Sequence, residues 1–290
     1  MKVSVSTYSF QKMLDSGEIT QFGIIEKAKE LGFDGVEFVD ILPHDGSSVE
    51  EYAKKLGEEC KRVGMHISNY TIGADFLIGS DGDFNAEIER VKKQIDIAAI
   101  LGATSVRHDA TRGYDITKHS YKGFTEVLPI IADGCRQVTE YAKTKGIKTM
   151  VENHGFYAQD ADRVESLINA VANDNFGWLC DMGNFLCVDE DPIISISKGA
   201  PYAFNVHAKD FHVKSGMKPN PGDGFFRTRG GNYLRGAIVG HGDVPVVQCL
   251  SDLKIAGYDG YVAIEFEGME ATIPALTIAI ANLKRFIEQA

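Results

Sequence analysis

The chain has no two cysteines at the spacing of a metal or redox motif. Cys60, Cys135, Cys180, Cys187 and Cys249 are odd in number and scattered, which argues against a disulfide framework and a thiolate zinc site and makes a reducing cytoplasm the expected compartment. No apolar run reaches the ~18 residues of a membrane span, and the opening MKVSVSTYSFQKM lacks the apolar core of a signal peptide. Positive charge is also scarce: 30 Lys and Arg face 41 Asp and Glu, for a formal net charge of -11. Affinity for nucleic acid comes largely from cations that neutralise phosphates, so neither nucleic acid nor a membrane is an expected partner. No GxGxxG follows the first apolar run, and no glycine-rich phosphate cradle occurs elsewhere, which favours an unphosphorylated ligand.

What the chain does have is a recurring unit: an amphipathic helical stretch, a glycine and a short apolar run. It ends at Gly32, Gly64, Gly102, Gly146 and Gly257. Glycine just past a helix accepts the left-handed conformation without steric cost, so five such units imply repeated helix-to-strand returns and a parallel sheet. Strands are expected at 2–8, 36–39, 65–71, 105–108, 147–152, 178–181, 204–207 and 261–266. Helices are expected at 19–31, 121–145 (with Pro129 starting or kinking it), 193–198, 246–256 and 273–287. Ser48 with Glu51 marks a helix start; Ile88, Val91 and Ile95, then Val164, Leu167 and Ile168, mark two more helical faces. Eight pairs over 290 residues average about 36 each, which suits a single-domain (β/α)8 TIM barrel over residues 1–290. Only 213–240 breaks the pattern. It is rich in glycine, holds Pro219 and Pro221, and reads as a long loop after the seventh strand, a lid carrying Arg227, Arg229 and Arg235.

Four apolar runs end in a ligand-type side chain: Val151-Glu152, Cys180-Asp181, Val206-His207 and Ile264-Glu265. The intervals between these residues are 29, 26 and 58, the first two about one strand-helix unit each. In a barrel they converge at the C-terminal mouth, where the active sites of this fold lie. The competing open sheet would gather them at one switch point instead. Four separate buried charges would each need a partner, whereas one shared cation satisfies all four. Three carboxylates and an imidazole suit Mn2+, with Mg2+, Co2+ or Zn2+ as alternatives.

The segments VENHG, CDMGN, NVHAKD and AIEFEG, in this order, together with VSTYSF and GFDGVEF, resemble the sugar phosphate isomerase/epimerase superfamily, the xylose isomerase-like barrels. In its ketose 3-epimerase branch, the residues matching Glu152, Asp181, His207 and Glu265 bind one divalent metal and the two glutamates also move protons. The resemblance implies those roles here. The chain departs from many relatives at Asn184, where they carry histidine, which argues against the trinuclear zinc chemistry of the apurinic endonucleases. Candidate substrate contacts are His154, Lys209 and Arg107, each with a structural hydrogen bond as the rival role, Asn184, which could hydrogen-bond a hydroxyl, and Arg227 and Arg229, whose rival reading is an ordinary surface excursion of 213–240. Glu37 is expected behind the metal ligands, Asp210 as an orienting partner and Tyr8 as a packing aromatic.

The reading that follows is a divalent-metal-dependent isomerase or epimerase, acting on a keto-sugar or related polyol through a metal-stabilised enediolate and without a redox cofactor. The alternatives are a lyase or dehydratase on a keto-inositol or keto-glycoside, and a non-catalytic sugar-binding subunit. Homo-oligomerisation is left open.

Overall fold

The computed structural model describes residues 1–115, 117 and 122–290. Eight parallel strands close into a barrel: β1 (Lys2–Ser6), β2 (Gly35–Val39), β3 (His66–Ile72), β4 (Ser105–His108), β5 (Lys148–Glu152), β6 (Phe176–Asp181), β7 (Ala203–Ala208) and, after an insertion, β11 (Tyr261–Ile264). The ring closes where Val3 of β1 pairs with Val262 of β11. Around it run α2 (Gln21–Leu31), α3 (Val49–Val63), α4 (Phe84–Leu101), α5 (Phe124–Thr144), α6 (Ala161–Val171), α8 (Pro192–Gly199), α9 (Val246–Ile255) and α10 (Thr272–Gln289), with the short α1 (Gln11–Asp15) and α7 (Asn184–Cys187) between strand and helix. This is the expected (β/α)8 barrel. Among the described residues, no helix is long and apolar enough to cross a membrane.

Local chemistry accounts for most boundaries. Thr20, Ser48 and Asp83 accept a backbone N–H from the first turn of α2, α3 and α4, each satisfying a donor that the helix cannot. These three helices end on left-handed Gly32, Gly64 and Gly102. By contrast α6 ends on left-handed Ala172, which is why its return to the sheet carries no glycine signal. The helix expected from 121 begins at Phe124 and keeps Pro129 near its start; Tyr121 lies outside the described residues. The apolar halves of strands and helices meet in one core that includes Val5, Phe38, Leu56, Val91, Trp178 and Leu276.

The segment 213–240 departs from expectation, for it takes part in a second, antiparallel sheet: β8 (Asp210–Lys214), β10 (Tyr233–Ala237) and β9 (Phe226–Arg227), in the order β8-β10-β9. Phe211 and Leu234 pack there on Cys187. Strands of two to five residues leave almost no periodicity to read, and the pairing joins residues far apart in sequence. Asp210 fastens the excursion. Its carboxylate accepts the backbone N–H groups of Phe211 (2.9 Å), Gly240 (2.9 Å), Gly242 (2.9 Å) and Val244 (3.0 Å), and a Cβ on Gly242 would stand 2.2 Å from its Oδ1.

Asp210→Ala strips the acceptor from four backbone donors. At about 1–3 kcal/mol for each buried donor left unpaired, and with partial rescue by water, a loss of roughly 3 kcal/mol is expected. A fall in the chemical-denaturation midpoint checks it; an unchanged midpoint would show that water replaces the carboxylate.

Candidate metal centre

The strand ends at the C-terminal mouth are set by side-chain bridges. Asn153, next to Glu152, donates to the Asp181 carbonyl (2.9 Å) and accepts from the Asp181 N–H (3.0 Å) and the Trp178 indole (3.1 Å), locking β5 against β6. One residue on from Met182, Gly183 passes so close to β7 that a Cβ would lie 2.8 Å from the Lys209 carbonyl oxygen. The register pairs Asp181 with His207 and Ala263 with His207, which brings Glu265 to the same level. At the far side of the barrel the β2/β3 register shifts between Val36 and Glu37, as at bulges that re-aim a side chain, and the Glu37 carboxylate reaches across to His207.

His207 is the centre of the arrangement. It is fully buried, and its Nε2 lies 2.9 Å and 3.1 Å from the two Glu37 oxygens. That contact assigns the proton to Nε2 and turns Nδ1 inward. Nδ1 has no hydrogen-bond partner; it faces Glu152 Oε1 at 3.7 Å, Asp181 Oδ2 at 3.6 Å and Glu265 Oε2 at 3.7 Å. Asp181 spends Oδ1 on the N–H groups of Gly183 (2.7 Å) and Asn184 (2.8 Å), and its buried Oδ2 makes no hydrogen bond among the described residues, with the Lys209 ammonium 3.6 Å away. One donor atom from each of the four residues lies within 4.8 Å of every other.

These residues fit a divalent metal. Donors about 2.1 Å from one ion stand roughly 3.0–3.5 Å apart; the separations from Nδ1 here, 3.6–3.7 Å, are slightly wider, and the two buried atoms without a hydrogen bond, Nδ1 and Asp181 Oδ2, both face the common centre. The Glu37–His207 contact is the carboxylate–imidazole support that metal-binding histidines ordinarily have. Three of the four donors are carboxylate oxygens, a hard set.

Electrostatics match the geometry. Burial opposes charge on His207, but Glu37 and Glu265 outweigh it and raise its pKa well above the ordinary imidazole value. Burial likewise works against an ionised Glu152; Arg107 and then His207 reverse the effect and bring it to about 2. Glu265 is held well below the carboxylate range because Lys209 and His207 override its burial. Positive charge is therefore drawn into the cluster from every side.

A cleft of about 260 Å3 opens above, with Glu152 and Glu265 in its wall. The candidate substrate contacts divide into three groups. Arg107, His154 and Lys209 line this cleft. Arg107 Nη2 is clamped between Glu152 Oε2 (2.7 Å) and Asp109 Oδ1 (2.9 Å), His154 Nδ1 is 3.0 Å from the same Asp109 oxygen, and the Lys209 ammonium contacts Glu265. Asn184 is buried away from the cleft wall and links two of its members, donating to Glu152 Oε1 (2.8 Å) and accepting from Lys209 (3.2 Å). Arg227 and Arg229 do not line the cleft but a neighbouring cavity, because the small sheet holds their segment to one side.

Tyr8, expected to pack, instead stands 38% exposed in the cleft wall, since β1 ends at Ser6 and a short turn lifts the ring outward. Asp109, Arg112 and Glu267 were not anticipated. Asp109 and Glu267 could have been found by parity, each lying two residues beyond a candidate at a strand end. Burial raises the Glu267 carboxyl above its usual range, Lys209 opposing and Glu265 reinforcing the shift. Thr71 and Arg112 also line the cleft and carry no such signal.

Residues 25–289 match the model of the xylose isomerase-like TIM barrel family. The chain belongs to this family. No curated protein sequence matches it. Among solved structures, a D-psicose 3-epimerase from Clostridium cellulolyticum H10, crystallised with D-tagatose, is 16% identical with a TM-score of 0.75, over 99% of both chains. A xylose isomerase-like barrel from Mycobacterium smegmatis in complex with magnesium is 17% identical, TM-score 0.72, over 99% of this chain and 97% of that one. A probable 3-DHS dehydratase from Bacillus anthracis is 19% identical, TM-score 0.70, over 98% and 99%. At these identities the likeness is one of fold, which xylose isomerase-like barrels share across different reactions.

Protein purified without chelator is expected to carry about one divalent ion per chain by elemental analysis, and His207→Ala to carry none. Glu37→Gln should keep the fold and weaken the metal by about 10–100-fold. Equal affinity in Glu37→Gln would mean that the His207 ring is oriented without it.

Proposed function

We propose that this xylose isomerase-like barrel is a divalent-metal-dependent isomerase or epimerase of a keto-sugar or related polyol, with Mn2+ as the working ion. The observation that carries the reading is the His207 Nδ1 atom facing three carboxylates, with two of those carboxylates also forming the wall of a small polar cleft. A bound divalent ion supplies Lewis acidity, polarising a carbonyl and acidifying the adjacent C–H. Glu152, Asp181, His207 and Glu265 would hold it.

The remaining chemistry falls to side chains. Glu152 and Glu265 are kept ionised by Arg107, Lys209 and His207, so each accepts a proton from carbon without first losing one of its own. Transfer to one glutamate and return to the opposite face from the other, once that one has taken up a proton from solvent, inverts the carbon; transfer to one glutamate and return from it to the neighbouring carbon on the same face, with the hydroxyl proton passing between the two oxygens, moves the carbonyl. Lys209, whose pKa stays well above the ordinary lysine value as its carboxylate neighbours outweigh burial, donates a hydrogen bond to the oxygen on which negative charge grows. Glu267, with its raised pKa, is suited to hold a proton at the cleft wall. The cleft lies just below the roughly 300–1,000 Å3 usual for small-molecule pockets, which suits a sugar-sized ligand. Support from outside the chain comes from the similar fold that acts as a D-psicose 3-epimerase and from another found with magnesium.

The test is proton exchange. Mn2+-loaded protein incubated in D2O with a panel of ketoses and keto-inositols is expected to place deuterium at the carbon next to the carbonyl and to yield an epimer or aldose, seen by NMR. Glu152→Gln and Glu265→Gln should each lose turnover by about 10²–10⁴-fold even at saturating Mn2+, because an amide keeps an oxygen for the metal but takes up no proton. Exchange accompanied by loss of water would move the enzyme to the lyases. Absence of exchange with every substrate would overturn the proposal.

A further inference from the structure

We infer that the cavity beside the metal cleft binds an anionic group, a carboxylate or a phosphate, on the part of the substrate remote from the reacting carbons. The inference rests on the reading of the cleft as a keto-sugar site and narrows its substrate to an acidic one. The cavity measures about 330 Å3 and is bounded by Arg112, Phe156, Tyr157, Arg227 and Arg229. Arg112 borders the metal cleft as well, so a ligand seated over Glu152 and Glu265 has this guanidinium on its path into the second cavity.

Three arginines around one space are notable in a chain of net charge -11. Among the described residues no Asp or Glu borders the cavity, whereas the metal cleft has Glu152, Glu265 and Glu267 in its wall. Arg229 is engaged, its Nη1 donating to Asp160 Oδ2 (2.9 Å) and to the Phe156 carbonyl (3.4 Å), and Arg112 acts at longer range on the Asp109 carboxylate. The guanidiniums of Arg112 and Arg227 have neither a side-chain hydrogen bond nor an ion pair among the described residues. Like charges facing a shared space repel, and an anion between them removes the repulsion while using the fork geometry that arginine offers to carboxylate and phosphate oxygens.

The site is also built in advance of any ligand. Asp189, itself at a φ of 61°, accepts from the Thr228 hydroxyl (2.8 Å), the Asn232 amide (2.8 Å) and the Gly230 N–H, and the Arg229 N–H donates to the Cys187 carbonyl (2.9 Å). These bonds fix the segment that carries Arg227, so little ordering is left to be done on binding. Phe156 is held at a φ of 67° with its ring 43% exposed, a strained state for a bulky residue. Its N–H is tied to Gln159, whose amide donates to the Asn184 carbonyl (2.6 Å). The wall of the anion cavity is thus bonded to the same Asn184 that touches Glu152 and Lys209. A ring or C–H face beside the anion meets Phe156.

Calorimetric titration of the Mn2+-loaded protein with D-fructose, 5-keto-D-gluconate and D-fructose 6-phosphate tests this. At least one anionic probe should bind about tenfold or more tightly than the neutral one, and the probe that gains tells carboxylate from phosphate. The double variant Arg112→Gln/Arg227→Gln should abolish the preference. Equal affinities for the three probes, no binding of either anionic probe, or a preference that survives the double substitution would each overturn the inference. Metal content is measured on the same samples: protein that binds no metal yet shows an arginine-dependent anion preference would remove the cleft reading and spare the anion site.

Discussion

Everything at the mouth of this barrel depends on one imidazole ring. His207 is buried with Glu37 on one nitrogen and three carboxylates around the other. Buried carboxylates this close repel strongly unless a positive charge lies among them. Within the protein itself that charge comes from Lys209 on Glu265 and from Arg107 on Glu152, and the carboxylates around His207 raise its pKa. A divalent cation at the centre would do the same and would use His207 Nδ1 and Asp181 Oδ2, which make no hydrogen bond among the described residues.

The barrel supplies what such a cluster needs. Parallel strands end at one level, so residues 29 and 26 positions apart in sequence become neighbours, and hydrogen-bonded side chains fix them there. Asn153 joins β5 to β6, Asn184 joins Glu152 to Lys209, and Asp210 holds the chain that leaves β7. The same device extends outward through Gln159 to Phe156 and through Asp189 to the arginine-bearing segment. Rigid support of this kind is what keeps catalytic groups within reach of a reacting atom.

The sequence made the barrel and the four-residue cluster legible for the same physical reason. A strand buried on both faces is an apolar run, and a polar residue at its end stands out; Glu152, Asp181, His207 and Glu265 all do. Glu37 was visible as a carboxylate inside such a run. Harder to see were contributions with no periodic background. Arg112 and Tyr8 sit on irregular backbone, and the small antiparallel sheet is built from strands too short to show alternation. The pairing of β9 with β10 moves Arg227 and Arg229 away from the cleft that a free lid would have covered. Asn184, read as a substrate contact, is turned by its bonds to Glu152 and Lys209 into a link between them.

The central claim is that one divalent ion sits among His207, Glu152, Asp181 and Glu265. A crystal grown with Mn2+, with diffraction recorded on either side of the manganese absorption edge, addresses it directly. The account predicts a single strong anomalous peak within bonding distance of His207 Nδ1 and an oxygen from each of the three carboxylates, with Glu37 still on Nε2. An anomalous map without a peak there, and with the Lys209 ammonium still on Glu265 in saturating Mn2+, would contradict it.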